Sequence, residues 1–532
     1  MRQRRAEVIA GALRNGRLRR VVGAFLIFNV AWWANWIAVL VWAYDWAGVR
    51  GSSAIALAQL VPAAVLASPA ATLFSRWPKA RALMRGYLVQ AVTYVALGLS
   101  LALDAPVAVI VAAAVAGSVA VTLTRPVHNS LLPSISETTE DLAVGNAASG
   151  TVEATGLVVG PLVCGLTIAV WGPGGVVLLM AAATFVAVAM TARLVTTVGP
   201  PVTSSPTSKR PSRLREVLHN PAARVLSALV GVESMMVGLI DILVVMLALD
   251  LLGMSDSGPG MLNAAIGLGG LLGAALTFLL VGRQRLGTVL LLAGLAVGLP
   301  FGLAGFAATA GAAALLLLVC GAGKALFEVT ARTLLQRLLP DRLLSAVFGL
   351  QETILMAGFA AGSLAAPLLV ETAGPKGAFV AAGLLLPVVT IGCWSLLRRL
   401  DADAAVPLDV LRLLLGVPSF SVVAPRIAER MAREALAVSA PRDTTLITEG
   451  EHGDRFYVIA AGQVLVTRAG QPLRHLGPGD WFGELALLRD VPRTASVVCT
   501  SDVTLWAVDR HTFLTAVSYS PESAWRVDDS YR

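Results

Sequence analysis

Two groups of residues in this sequence are spaced for chemistry. The first is contiguous: Phe482-Gly483-Glu484-Leu485-Ala486-Leu487-Leu488, then Pro492-Arg493-Thr494-Ala495-Ser496-Val497. A glycine opening a short helix lets backbone N–H groups come close to an anion. An arginine ten residues after Gly483, at the start of the next strand, can clamp the same anion through two bonds. A carboxylate beside that glycine repels phosphate but accepts a sugar hydroxyl. Gly483, Glu484 and Arg493 therefore describe a pocket for a phosphate joined to a ribose, with Leu485, Ala486 and Thr494 beside them as further candidates. No nucleophile or metal-ligand set accompanies Glu484 and Arg493, so neither hydrolysis of such a ligand nor another enzymatic activity is expected.

The second group is dispersed: Glu153, Glu233, Asp241, Lys324, Glu328 and Glu352 interrupt long apolar runs. A charge at mid-bilayer costs about 2.5–3.5 kcal/mol, so each needs a reason. Lys324 and Glu328 are four apart on one helix face and can pair; Arg332 continues that face. A carboxyl that burial neutralises and an opposite charge ionises can carry protons. Glu153, Asp241 and Glu328 suit that role, with Arg125, Lys324 and Arg332 as basic partners. The alternative is a set of static ion pairs.

The elements that position these groups follow from charge density. Of the 532 residues, 56% are apolar and 14% charged. Residues 1–397 hold 42 of the 74 charges and a net +10, and residues 398–532 hold 32 and a net −2. The second stretch has the charge density of a soluble domain; the first does not. The overall +8 lies in the apolar part, so it points to membrane lipid and not to nucleic acid. Cys164, Cys320, Cys393 and Cys499 form no CxxC pair and read as small buried residues, and no metal site is expected.

A span needs about 20 apolar residues. Apolar runs predict twelve, near 21–43, 52–74, 82–103, 106–127, 143–170, 175–195, 222–249, 259–281, 287–309, 312–335, 344–370 and 377–397. Basic residues cluster in the N-terminal tail and in the second-to-third and sixth-to-seventh connections, whereas the opposite connections offer Arg50 and Lys376. Both termini are therefore expected in the cytoplasm. An internal repeat supports two six-helix halves. Arg125 with Leu131-Leu132-Pro133 recurs as Arg332 with Leu338-Leu339-Pro340, and Gly156/Gly160 recurs as Gly358/Gly362. The polar stretch 197–219 joins the halves. Trp42, Tyr44 and Trp46 read as an interfacial belt, and Trp32 and Trp36 as packing or cavity-lining residues. The run Gly267-x-Gly269-Gly270-x-x-Gly273 reads as close helix packing.

This pattern resembles the major facilitator superfamily over about residues 20–397. Gly156-x3-Gly160-Pro161-x3-Gly165 is similar to its antiporter motif, and Arg125-Pro126 through Pro133 with Asn146-Ala147 to its bacterial exporters. The acidic–basic motif between spans two and three departs from the family: Ser75-Arg76-Trp77-Pro78-Lys79-Ala80-Arg81 lacks aspartate.

After Arg398-Arg399 a short amphipathic helical region (407–437, broken at Pro418) leads into alternating segments. These are Arg455–Ala460, Gln463–Arg468, Arg474–Leu476, Ala495–Thr500 and Thr504–Val508, with turns at Gly462, Gly470 and Gly477–Asp480. A small antiparallel barrel or jelly roll is expected. Gly450-x-x-Gly453-Asp454-x-Phe456-Tyr457-Val458-Ile459, Gly462 and the 482–497 run resemble the cyclic-nucleotide-binding domains of catabolite activator protein and the kinase regulatory subunits, over about 405–518. The resemblance implies that Arg493 neutralises the cyclic phosphate, Glu484 binds the ribose 2′-OH, and Gly483 and Ala486 donate N–H groups. It leaves cAMP and cGMP both open, since a hydroxyl at Thr494 occurs with either. The short stretch after Val517 predicts a truncated lid helix, with Trp525 and Tyr531 as possible base caps, and no helix-turn-helix.

The expected fold is thus an all-α polytopic membrane protein of twelve helices in two halves, plus a C-terminal α+β domain. The expected organisation is a basic tail (1–20), a first half (21–196), a linker (197–219), a second half (220–397), a linker (398–410) and a nucleotide-binding domain (411–532). The expected function is a proton-coupled small-molecule exporter of the cell membrane, with cAMP or cGMP as regulatory ligand and no other cofactor. The rivals are a membrane-tethered receptor without transport, and a lipid flippase or importer.

Overall fold

The computed structural model describes all residues except 1–15, 75–76, 136–138, 194–209, 277–284, 340, 404–406, 421–422, 424 and 519–532. Residues 1–15 of the N-terminal tail, most of the 197–219 linker, Pro340, Trp525 and Tyr531 therefore lie outside the described residues. The chain divides into two compact units, Met1–Asp401 and Ala402–Arg532.

The first unit is helical: α1 (Gly16–Phe74), α2 (Lys79–Ala102), α3 (Val107–Ile135), α4 (Thr139–Ala192), α5 (Arg210–His219), α6 (Pro221–Met246), α7 (Ser257–Leu276), α8 (Leu286–Ala304), α9 (Ala310–Leu338), α10 (Asp341–Gly392) and α11 (Trp394–Asp403). Among the described residues, eight helices are long and apolar enough to cross a membrane. Asn220 starts α6 by accepting the Ala223 N–H at 3.0 Å, and Thr309 starts α9 through Ala312 at 3.2 Å.

Three pairs of spans that the sequence separates are two helices each, joined across a non-helical break without a longer loop. At the first break the chain folds back, so that Ser52 donates to the Leu40 carbonyl at 3.0 Å. In α1 the break falls at Ala47 and Gly48 (φ 58°, ψ −147°). In α4 it is Gly172 (φ 64°, ψ 177°), and in α10 Gly374 (φ 74°, ψ 171°). These conformations suit glycine alone. Gly172 and Gly374 each precede a proline, which disfavours the helical conformation of the residue before it. The connections expected there contract to that break.

Glycines set the helix packing. A Cβ on Gly156 would lie 2.6 Å from Asn29 Cβ, and one on Gly160 2.5 Å from Trp33 Cβ, so α4 lies directly on α1. The same arrangement recurs 202 residues later, where Gly358 sits 2.6 Å by the same measure from the Gly231 carbonyl and Gly362 abuts Met235, laying α10 on α6. Gly267 faces the Leu157 carbonyl, whereas Gly269 and Gly273 face Leu318 and Ala322, so α7 is pressed between α4 and α9. Close helix packing is what that glycine run does. Cys164, Cys320 and Cys499 are buried free thiols, and Cys393 is half-buried.

The second unit opens with α12 (Leu408–Gly416), a 3₁₀ turn at Pro418–Phe420 and α13 (Pro425–Glu434). Eight strands follow: β1 (Leu436–Ala440), β2 (Thr445–Ile447), β3 (Arg455–Ala461), β4 (Val464–Arg468), β5 (Gln471–Leu476), β6 (Trp481–Phe482), β7 (Ser496–Cys499) and β8 (Val503–Asp509). α14 (Glu484–Arg489) interrupts them and α15 (Arg510–Ser518) closes the described chain. Two antiparallel sheets, β1-β8-β3-β6 and β2-β7-β4-β5, share a core of Ile459, Phe482 and Leu505 from one and Val464, Val497 and Cys499 from the other. The turns at Gly462, Gly470 and Gly479 have φ of 88°, 78° and 90°. On the outer face Phe420, Phe456 and Phe513 pack with ring centroids 4.9–5.9 Å apart, holding the helices on the sheet.

Overpacking a tight contact costs about 1–3 kcal/mol. Gly362→Leu is therefore expected to lower the thermal midpoint of the detergent-solubilised chain, followed by size exclusion. Gly349→Leu, in the same helix but with open space around its Cβ position, leaves the midpoint in place.

Candidate functional site

The pocket of the second unit is built around Arg493. β6 pairs with β3 (Tyr457 opposite Phe482), which brings the turn at Gly483 beside the start of β3. Gly483 adopts φ 95°, a left-handed conformation, and so turns the chain into α14. Arg493 Nη1 donates to the Gly483 carbonyl and Nη2 to the Arg455 carbonyl, each at 2.8 Å. Its backbone is tied to the loop before β3: Arg493 N–H donates to Glu451 and Gly450 N–H to Arg493, both at 2.8 Å. The guanidinium fills the space against two glycines. A Cβ on Gly453 would lie 2.6 Å from Arg493 Cζ, and one on Gly483 2.7 Å from Nη1.

Arg493 is 6% exposed and Glu484 2%. Burial lowers the Arg493 pKa from its ordinary value, while Tyr457, Asp454, Glu484 and Glu451 favour its charge. An arginine starts so high that it stays protonated. A cavity of roughly 410 Å³ opens beside it, lined by Gly483, Glu484, Leu485, Ala486, Arg493 and Thr494, all six residues singled out from sequence. Arg468, Leu473 and Arg474 complete the wall from the β4–β5 hairpin. Sequence reasoning missed these three. It read β5 as 474–476 only, and the signal was the pair of arginines flanking the Gly470 turn.

In the first unit the dispersed charges fall into two groups. Lys324 Nζ lies 3.3 Å from Glu328 Oε1, as the four-residue spacing predicts. Asp241 accepts the Trp36 indole N–H at 2.9 Å. Glu233 and Asp241 both act electrostatically on Lys324. Glu233, Asp241, Lys324 and Glu328 therefore form one cluster. Arg125 belongs to the other, under the influence of Glu153 and Glu352. Its guanidinium lies 4.5 Å from the Trp32 ring centroid and donates to Asn29 at 3.3 Å. Arg332 stands apart, exposed, 5.9 Å from the Phe348 ring. Tyr44 departs from the belt reading, because it is buried and bonded to Asp250, while Trp42 and Trp46 stack at 6.2 Å. Sequence reasoning also missed buried His128, stacked 3.7 Å from Phe25 and bonded to Ser149 at 3.0 Å.

Residues 21–354 match the Major Facilitator Superfamily profile. The chain belongs to the Major Facilitator Superfamily. Unlike a bare transporter of that superfamily, it carries a second match over residues 437–520, to the cyclic nucleotide-binding domain. That part is 50% identical over 70 residues to a cGMP-dependent protein kinase of Plasmodium berghei, covering 13% of this chain and 8% of the kinase. It is 46% identical over 68 residues to a cAMP-dependent protein kinase regulatory subunit of Yarrowia lipolytica, covering 13% and 18%. The chain thus spans less than a fifth of the length of either relative. Among solved structures it is similar to the regulatory domain of Toxoplasma gondii PKA with cAMP, at 30% identity over 20% of this chain and 43% of that one, with a TM-score of 0.20.

Because Gly453 leaves the space that the Arg493 guanidinium fills, Gly453→Val is expected to displace it. Calorimetric titration of the full chain with cAMP and cGMP then shows at least tenfold weaker binding, with the thermal midpoint little changed.

Proposed function

We propose that this superfamily member is a secondary active exporter of the cytoplasmic membrane, driven by protons and regulated by a cyclic nucleotide bound beside Arg493. The observation that carries the regulatory part is the pairing of buried Arg493 with buried Glu484 across one cavity. A cyclic phosphate takes the guanidinium donors and the N–H groups at Gly483 and Ala486, and the ribose 2′-OH donates to Glu484. The two facing sheets are read as a jelly roll.

The breaks at Gly48, Gly172 and Gly374 support twelve spans, because each separates two membrane-crossing lengths. The domain boundaries are those expected from the charge density, and the basic connections support cytoplasmic termini. Proton coupling is assigned to the carboxylates Glu153, Asp241 and Glu328 with Arg125, Lys324 and Arg332 as partners. Export is read from the likeness of Gly156-x3-Gly160-Pro161-x3-Gly165 to the antiporter motif. Regulation enters through α11. Its Asp401 accepts the Gly287 N–H at 2.5 Å, with further bonds from Leu286 and Thr288, and so caps the start of α8.

The hairpin arginines favour guanine over adenine. Guanine offers O6 and N7 as paired acceptors to a guanidinium, whereas adenine places a donor at the first position. Arg474 and Thr494 line the same cavity, and the base is read as lying against them.

Calorimetry on the full chain tests this. cGMP is expected to bind about tenfold tighter than cAMP, in line with about 1–3 kcal/mol for a bidentate pair, and Arg474→Ala removes the difference. Arg493→Ala weakens both at least a hundredfold. No heat with millimolar nucleotide would sink the sensor reading.

A further inference from the structure

Two helices of the bundle carry apolar stripes side by side, and each stripe ends on arginine. After the Gly374 break of α10, Val380, Leu384, Val388 and Ile391 are exposed and recur at helical spacing. The helical path hardly breaks before α11. Cys393 N–H donates to the Val389 carbonyl and Leu397 N–H to that of Cys393, both at 2.9 Å. The stripe therefore runs on through Ser395 to Arg398 and Arg399, all three exposed. On α8, Leu292, Leu299 and Leu303 are exposed, and exposed Arg285 stands just before the first turn. The two helices meet antiparallel, Gly298 against Gly383, Gly294 against Thr390 and Gly287 against Leu397. Counted from that contact face, each stripe lies about 100° round its helix, and the antiparallel sense puts both on the same side of the pair.

Depth decides what meets the arginines. At 1.5 Å per residue from Gly374, Trp394 lies about 30 Å along the helix and Arg398 about 36 Å. The hydrocarbon layer ends near the first distance, and the headgroup layer contains the second. The valine, leucine and isoleucine stripes thus face acyl chains, half-buried Trp394 sits at the boundary, and the arginines lie among phosphates. α11 is held in this rotation. Leu397 and Leu400 are buried, and Asp401 takes the N–H groups of Leu286, Gly287 and Thr288. Those bonds also occupy the amides at the start of α8, so an anion there is left to side chains. Arg285 acts electrostatically on Asp401, which places it at the same junction. Among the described residues, Arg398 and Arg399 have no ion pair or hydrogen bond.

We propose that the groove between α8 and the end of α10 holds one anionic phospholipid. Its two acyl chains lie on the two stripes, and its phosphate sits between Arg285 and Arg398, with Arg399 beside them. Guanidiniums from two helices at one depth suit a phosphodiester. They disfavour a choline headgroup, whose own cation would be set against them. A second copy of the chain is a poorer occupant, because two copies in one membrane would oppose the same arginines at the same depth. The lipid then clamps α8 to α11, the helix after which the second unit begins. This goes beyond the transport reading: it depends on the bundle lying in a bilayer, and not on what the bundle moves.

The test uses the full chain, delipidated in detergent, and native mass spectrometry with dioleoyl-phosphatidylglycerol and dioleoyl-phosphatidylcholine in competition. One phosphatidylglycerol is expected to be retained at least tenfold more tightly than phosphatidylcholine. Arg285→Gln with Arg398→Gln loses that lipid, whereas Arg285→Lys with Arg398→Lys retains it. Arg81→Gln with Arg193→Gln, an equal loss of charge at two other exposed helix ends, also retains it. Unchanged elution and thermal midpoint without lipid show that each variant is folded. Equal retention of the two lipids by the wild-type chain overturns the assignment, and so does persistence of the preference in Arg285→Gln with Arg398→Gln. Displacement by millimolar inorganic phosphate also overturns it, since the arginines would then be a site for a free anion. A dimer of the delipidated chain that Arg285→Gln with Arg398→Gln disperses gives the stripes to a second copy, and defeats the lipid.

Discussion

Removing a charge from water costs several kcal/mol per ion unless a partner is built in beside it. That constraint organises both units of this protein. Arg493 meets it with two backbone carbonyls, drawing the start of β3 and the Gly483 turn to one point. Once the guanidinium is placed there, positions 453 and 483 have no room for a side chain. The glycines of the pocket are thus consequences of the arginine as much as features of the loop. Lys324 meets the same constraint with Glu328, Asp241 with Trp36, and Asp401 with the first amides of α8.

Backbone approach does for the helices what charge pairing does for the sites. Lipid tails are as apolar as leucine, so helices associate in a membrane through close van der Waals contact and hydrogen bonds. Gly156 and Gly160 seat α4 on α1, and their counterparts at 358 and 362 seat α10 on α6. The Gly-Pro break continues the repeat at the same offset of 202, from Gly172 to Gly374. One half of the bundle therefore reuses the packing and the turn of the other.

What was legible in the sequence depended on whether a site's parts are neighbours along the chain. The shared cavity of Gly483, Glu484 and Arg493 was readable because they lie within eleven residues of the chain. The Lys324–Glu328 pair was readable because helical spacing alone brings it together. Trp36 with Asp241 and Tyr44 with Asp250 were not, because partners 205 and 206 residues apart meet only through tertiary packing. The breaks between paired spans were legible because Gly172 and Gly374 each precede a proline, although the connections there are shorter than expected. Strands β1, β2 and β6 escaped because they are short and carry little alternation, and five of the six residues of β5 are exposed.

A ligand can shift a transporter's equilibrium only by binding one of its states better than the other, so binding energy must become displacement somewhere. The second unit contains a series of polar contacts that leads away from Arg493. A phosphate at Arg493 competes for the donors that now hold the Gly483 carbonyl, and Gly483 is the hinge of α14. The far end of α14 is tied to α15 by the Asp490–Arg510 ion pair. From α15, Thr512 donates to Glu434 at 2.7 Å, at the end of α13. The cost of dehydrated charge thus fixes Arg493 between the Gly483 and Arg455 carbonyls, and these are the points against which a bound phosphate would act.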